Sequence, residues 1–161
     1  MQPSIAERIA FGRPYDPVAD DTVVVPRSGT ALVGRILISA IFLVSGFAKL
    51  TDPASTVGYM ESAGVGGADV LVYVAGIAEV LGGLSLLFGF LTRIGAMGLI
   101  VLLALINVMM HDFWAMPEPE AKAQMAQFVK NLAIMGGLFM VVAMGPGRYS
   151  LDARMRRPKS V

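Results

Sequence analysis

Four long apolar runs divide this chain, at about residues 31–50, 70–91, 94–113 and 125–145, with polar segments before, between and after them. Each run is close to the ~20 residues that cross a ~30 Å hydrocarbon core at a rise of 1.5 Å per residue. The pattern predicts an all-α integral membrane protein, an antiparallel bundle of four transmembrane helices. The turn LTRIG between the second and third runs is so short that those two helices must be antiparallel neighbours. Between the first and second runs lies a Gly-, Ser- and Ala-rich loop, TDPASTVGYMESAGVGGAD, predicted to hold a short helix across the mouth of the bundle. The loop HDFWAMPEPEAKAQ sets Trp114 where interfacial aromatics prefer to sit. A polar arm (1–30) precedes the helical domain (31–145), and a basic tail (146–161) follows it.

Composition sharpens this reading. The chain is 55% hydrophobic and 16% charged, whereas soluble domains are roughly 25% charged. Its net charge of +1 gives no footing for nucleic acid, so membrane lipid is the partner that composition demands. Basic residues are distributed unevenly. Arg8, Arg13, Arg27, Arg35, Arg93, Arg148, Arg154, Arg156, Arg157 and Lys159 fall on one side of the predicted bundle, and only Lys49, Lys122 and Lys130 on the other. The positive-inside rule then predicts both termini in the cytoplasm. Arg35 and Arg93 are expected to snorkel to headgroups, with Arg154, Arg156 and Arg157 in the tail contacting anionic lipid. The arm has charges and prolines but no apolar core, so a cleaved secretion signal is not expected. Its IAERIAF stretch can make one amphipathic turn on the membrane surface or remain a flexible tail.

Polar residues inside the runs are the candidate chemistry. Glu79 lies in the middle of VYVAGIAEVLGGLSLLFGFL, roughly 14 Å from the external end by helical rise. A charge at that depth costs on the order of 2.5–3.5 kcal/mol, so Glu79 must face protein or water, or be protonated. Ala75, Gly76, Gly82 and Gly83 surround it at helical spacing and let another helix approach. Asn107 and His111 share a face of the third span at i, i+4, Lys130 and Asn131 lie in the fourth, and Lys49 ends the first on the same external side. The expected result is one buried polar cluster that opens outward, with Glu79 paired to Lys130 or His111, and little comparable in the cytoplasmic half. Such a cluster serves a ligand or proton, or only locks the helices in register. His111, the single histidine, can bind a quinone carbonyl, relay a proton or sit at the interface.

Several chemistries are excluded or disfavoured. Without cysteine the chain forms no disulfide, thiolate metal site or persulfide. One His and one Glu are too few ligands for a metal site. The many methionines suit packing gaps, and no phosphate loop, nucleophile elbow or zinc motif is present. A transporter is disfavoured by the small helix number and the lack of an inverted repeat.

The segments RILISAIFLVSGFAKLTDP, IAEVLGGLSLLFGFLTRIGA, NVMMHDFW, FVKNLAIMGGL and GPGRYSLD, in this order, resemble the DoxX family of small bacterial four-helix membrane proteins. The resemblance covers about residues 35–152. It implies a bacterial inner-membrane location and a place among subunits of membrane oxidoreductases, the family name deriving from a subunit of thiosulfate:quinone oxidoreductase. It also marks Ser45, Lys49, Glu79, His111, Lys130 and Asn131 as the positions matching the family's polar pattern. The expectation is a subunit of a redox complex whose buried pocket serves a quinone or protons, beside other membrane subunits. The alternative is a non-catalytic accessory subunit that stabilises or docks a larger complex.

Overall fold

The computed structural model describes residues 28–155. The N-terminal arm up to residue 27, and with it the IAERIAF turn, lies outside the described residues, as do Arg156, Arg157 and Lys159. Four helices are long and apolar enough to cross a membrane. They are α1 (Ser28–Thr51), α3 (Ala68–Phe88), α4 (Thr92–Met110) and α5 (Glu120–Met144). Two short α-helices, α2 (Ala54–Ser62) after α1 and α6 (Leu151–Met155) after α5, and a 3-10 turn at Phe113–Ala115 complete the described elements. The four long helices overlap the four apolar runs, with ends displaced by a few residues. The largest displacement is at α5, which begins at Glu120, five residues before the apolar run, because amphiphilic residues extend a helix beyond the hydrocarbon.

Local sequence explains the helix ends. Gly89 closes α3 in the left-handed region at φ 68°, a conformation that costs a residue with a Cβ roughly 1–2 kcal/mol. The Gly89 and Phe90 N–H groups both donate to Ser85 O. Only residues 89–91 then separate α3 from α4, so the two lie antiparallel.

The helices form an open ring in the order α1, α3, α4, α5. The α1–α3 seam is the most extensive, and α5 meets α1 only sparsely. Close approach of α1 and α3 is made by Gly46 and Gly76. A Cβ at Gly46 would stand 2.8 Å from Gly76 O, and one at Gly76 would stand 3.0–3.1 Å from Leu50 and Lys49 side-chain atoms. Without a hydrophobic driving force between helices in lipid, such contact supplies the dispersion that holds them. One apolar core, including Phe42, Leu86, Leu99, Leu103 and Leu138, fills the centre. A second gathers Met60 of α2 with Val65, Ala68, Val72 and Met110, fixing α2 over the bundle end as the loop composition predicted. Trp114 is 60% exposed and stacks edge-on against Phe113 and Phe128, in keeping with an interfacial aromatic.

Candidate functional site

The intramembrane carboxylate is buried, with Glu79 only 4% exposed. Its partner is Lys49, whose Nζ stands 3.0 Å and 2.9 Å from the two carboxylate oxygens and donates a further hydrogen bond to Ser45 Oγ at 2.6 Å. The expected pairing with Lys130 or His111 is therefore corrected. Lys49 sits one turn from the Gly46–Gly76 contact, on the helix packed closest to α3, so its ammonium arrives first. Lys130 is exposed and donates to Gln127 Oε1 three residues back.

The pair opens into a cavity of about 300 Å³ whose walls come from all four spanning helices and α2. Of the residues singled out in the sequence, Ser45, Lys49, Glu79, His111, Lys130 and Asn131 all line it. Asn107 lies behind the wall, accepting from Asn131 Nδ2 at 2.8 Å and donating to Phe128 O at 3.3 Å, which ties α4 to α5. Phe42, Leu103, Ile106 and Ile134 are among the residues that supply its apolar surface. The cavity thus offers a cation, an anion and a hydroxyl together at Lys49, Glu79 and Ser45, with further polar groups at Thr56, Tyr59, His111, Lys130 and Asn131 and apolar surface between them.

Above it sits a group that the sequence pattern does not reveal. Tyr59 Oη lies 2.9 Å from Met110 O and 3.0 Å from Gln124 Oε1, its one proton serving either acceptor. His111 Nδ1 approaches the same Gln124 oxygen at 2.7 Å. An amide oxygen only accepts, so Nδ1 is the donor in this contact. In the sequence Tyr59 is only a loop aromatic, and Gln124 a polar residue ahead of an apolar run. Nothing in their spacing joins them.

The opposite, basic end was expected to hold little, and this is corrected too. Arg35 does not snorkel: it is 2% exposed, and its guanidinium turns inward to donate to Leu86 O at 3.0 Å and to Tyr149 O. Ser39, Thr92 and Ser150 are buried with it. Asp152, reached through the α5–α6 turn, accepts from Leu91 N at 2.9 Å, Thr92 N at 3.0 Å and Thr92 Oγ1 at 2.7 Å, capping α4 from outside that helix. Arg35 lies too near the chain reversals at Gly89 and Ser150 to reach water, and the carbonyls freed there are its nearest acceptors. Arg93 is exposed as expected, its guanidinium touching Ala143 O at 3.4 Å, and Arg154 is exposed on α6.

These features belong to a recognisable sequence family. The DoxX family matches residues 30–112. The chain belongs to that family. Over 126 residues it is 36% identical to inner membrane protein YqjF of Escherichia coli (strain K12), covering 78% of this chain and 92% of the relative. Inner membrane protein YphA of the same organism is 32% identical over 123 residues, covering 76% and 88%. A Surfeit locus protein 4 homolog of Schizosaccharomyces pombe is 27% identical over 127 residues, which is 78% of this chain but 37% of that longer protein. No solved structure matches the chain. This DoxX-family chain is a multi-pass inner-membrane protein, and the matched segment contains Ser45, Lys49, Glu79, Asn107 and His111.

Proposed function

We propose that this DoxX-family protein is an integral subunit of a membrane redox complex, and that its cavity receives the head of a quinone and exchanges protons there. The observation that carries this reading is the cavity wall itself. Lys49 Nζ and Glu79, held together at 2.9 Å, form a buried donor–acceptor pair beside an apolar chamber of about 300 Å³, the lower end of the roughly 300–1,000 Å³ range of small-molecule sites. A ring-sized head with carbonyl acceptors fits that donor set: Lys49 can donate to one oxygen, and Tyr59 lines the same chamber. A quinone supplies two-electron, two-proton redox chemistry when bound. Lys49 and Glu79 would orient the head and hold the proton between them, while the apolar walls exclude water. Electrons would come from a partner subunit, since the chain has no cysteine with which to carry redox chemistry of its own.

A second reading is favoured by the packing beside the pair. Gly46 and Gly76 bring α1 and α3 into contact one turn from Lys49, so the ion pair would serve as a bolt in an accessory subunit. Purification in a gentle detergent, with mass spectrometry of bound quinone and co-purifying proteins, separates the two readings when Glu79→Gln is run in parallel. Quinone in the wild type and its loss in the folded variant support the redox reading. Equal partners and no quinone in either sample leave the bolt.

A further inference from the structure

On the α3–α4 side a single layer of side chains separates the cavity from the lipid-facing surface. Met60, Ala75, Ile106 and Met110 form part of its wall, and the same four residues line a groove of about 170 Å³ on the outer face of the α3–α4 seam. These side chains are a window one residue thick. Every residue lining that groove is apolar, and Val74 and Leu105 at its rim are more than half exposed. A second groove of about 530 Å³ follows along the same seam toward the basic end, and Gly82, Gly95 and Gly98 are among its lining residues. Val74 to Ala78 and Gly98 to Leu102 are i, i+4 steps, so the two grooves share a line along the membrane normal. Gly98 leaves that line open: nothing stands within 4 Å of where its Cβ would be.

The head end restricts the ligand further. Lys49 and Glu79 neutralise each other across 2.9 Å, so an ionic head is not required, and an anion would meet the Glu79 carboxylate. A neutral head with hydrogen-bonding oxygens suits the pair. On the α1–α5 side the mouth carries the exposed Lys130 ammonium, whereas the α3–α4 side is hydrocarbon throughout.

We infer that the ligand of this cavity is a lipid with one hydrocarbon chain, its uncharged head against Lys49 and Glu79 and its chain leaving through the Met60–Ala75–Ile106–Met110 window to lie along the α3–α4 groove. This rests on the reading that the cavity takes a quinone head, and adds the path of the tail. Transfer of a chain from lipid to an apolar groove has little driving force, so the decisive readout is location rather than affinity.

The full chain in phosphatidylcholine nanodiscs is offered a benzoquinone carrying a ten-carbon chain with a terminal diazirine, and cross-linked peptides are mapped. Labelling concentrated on residues 71–81 and 94–105, displaced by excess unlabelled quinone, is the expected result. A fatty acid with the same diazirine chain is run beside it, and equal labelling of that seam by both probes would overturn the inference, because the groove would then be ordinary lipid surface. Displaceable label on residues 41–45 and 134–138 instead would overturn the path while leaving the head site standing. Gly98→Phe grows into open space and Gly98 does not line the cavity, so the head site stays intact. It is expected to remove the displaceable label from residues 94–98 while leaving displaceable label at 71–78; unchanged displaceable label at 94–98 in the variant would contradict the lower half of the path. If neither ring binds saturably to folded protein, the quinone reading and this inference fall together.

Discussion

The two ends of the bundle each bury a polar cluster built around a basic residue of α1, Arg35 at one end and Lys49 at the other, yet the two are wired differently. At the basic end the polar side chains bond chiefly to backbone. Arg35 satisfies Leu86 O and Tyr149 O, and Asp152 accepts from Leu91 N and Thr92 N. At the pocket end they bond chiefly to one another, Lys49 to Glu79 and Ser45, Asn131 to Asn107, and all of these but Asn107 face a cavity. A side chain that satisfies a chain reversal cannot leave without orphaning a buried backbone group. A side chain paired to another side chain beside open space can exchange partners with a ligand. Similar residue types therefore give a structural clasp in one place and a candidate site in the other.

The largest effect that would test this contrast is expected from Arg35→Met. Two carbonyls lose their donor, at about 1–3 kcal/mol each, so a loss of about 4 kcal/mol is expected. Thermal unfolding in detergent measures it, and unchanged stability would mean the clasp holds nothing. Gly89→Ala follows. Its φ of 68° and a Cβ placed 2.3 Å from Arg35 Nη1 and 2.4 Å from Ser150 Cβ force the clasp apart, for about 3 kcal/mol. Asp152→Ala removes the acceptor for the Leu91 and Thr92 N–H groups and is expected to cost about 1 kcal/mol, as loss of a helix cap does. Limited proteolysis should then cut the chain beyond Gly145 sooner than in wild type. The smallest stability change is expected from the double variant Lys49→Met with Glu79→Leu. Replacing a whole buried ion pair by hydrocarbon of similar volume is often neutral or favourable. Stability within about 1 kcal/mol of wild type, together with loss of quinone, would sharpen the contrast. A collapse in stability with quinone binding kept would erase it and make the pocket end a second clasp.

Much of this is legible in the amino-acid sequence. The four spans, the antiparallel α3–α4 turn, the α2 cover and the cavity positions at Ser45, Lys49, Glu79, His111, Lys130 and Asn131 follow from hydropathy, loop length, helical rise and family pattern. Three things are not. The partner of Glu79 depends on which helix packs closest, and the Gly46–Gly76 approach settles that in favour of Lys49. Arg35 reads as a snorkelling cation from its place near a span end; only the reversal at Gly89, 54 positions along the chain by the numbering, supplies the carbonyl environment that turns it inward. Tyr59 and Gln124 meet through α2 and the start of α5, elements that share no local sequence signal.

Hydropathy along the chain already dictates what must be buried in lipid, how deep each polar group lies and how many helices carry them, because transfer free energy and helical rise are properties of each residue and segment alone. The tertiary structure decided who pairs with whom and which polar cluster borders empty space. Those depend on the rotation and spacing of helices about one another, set by the sum of many weak packing contacts that no single segment encodes.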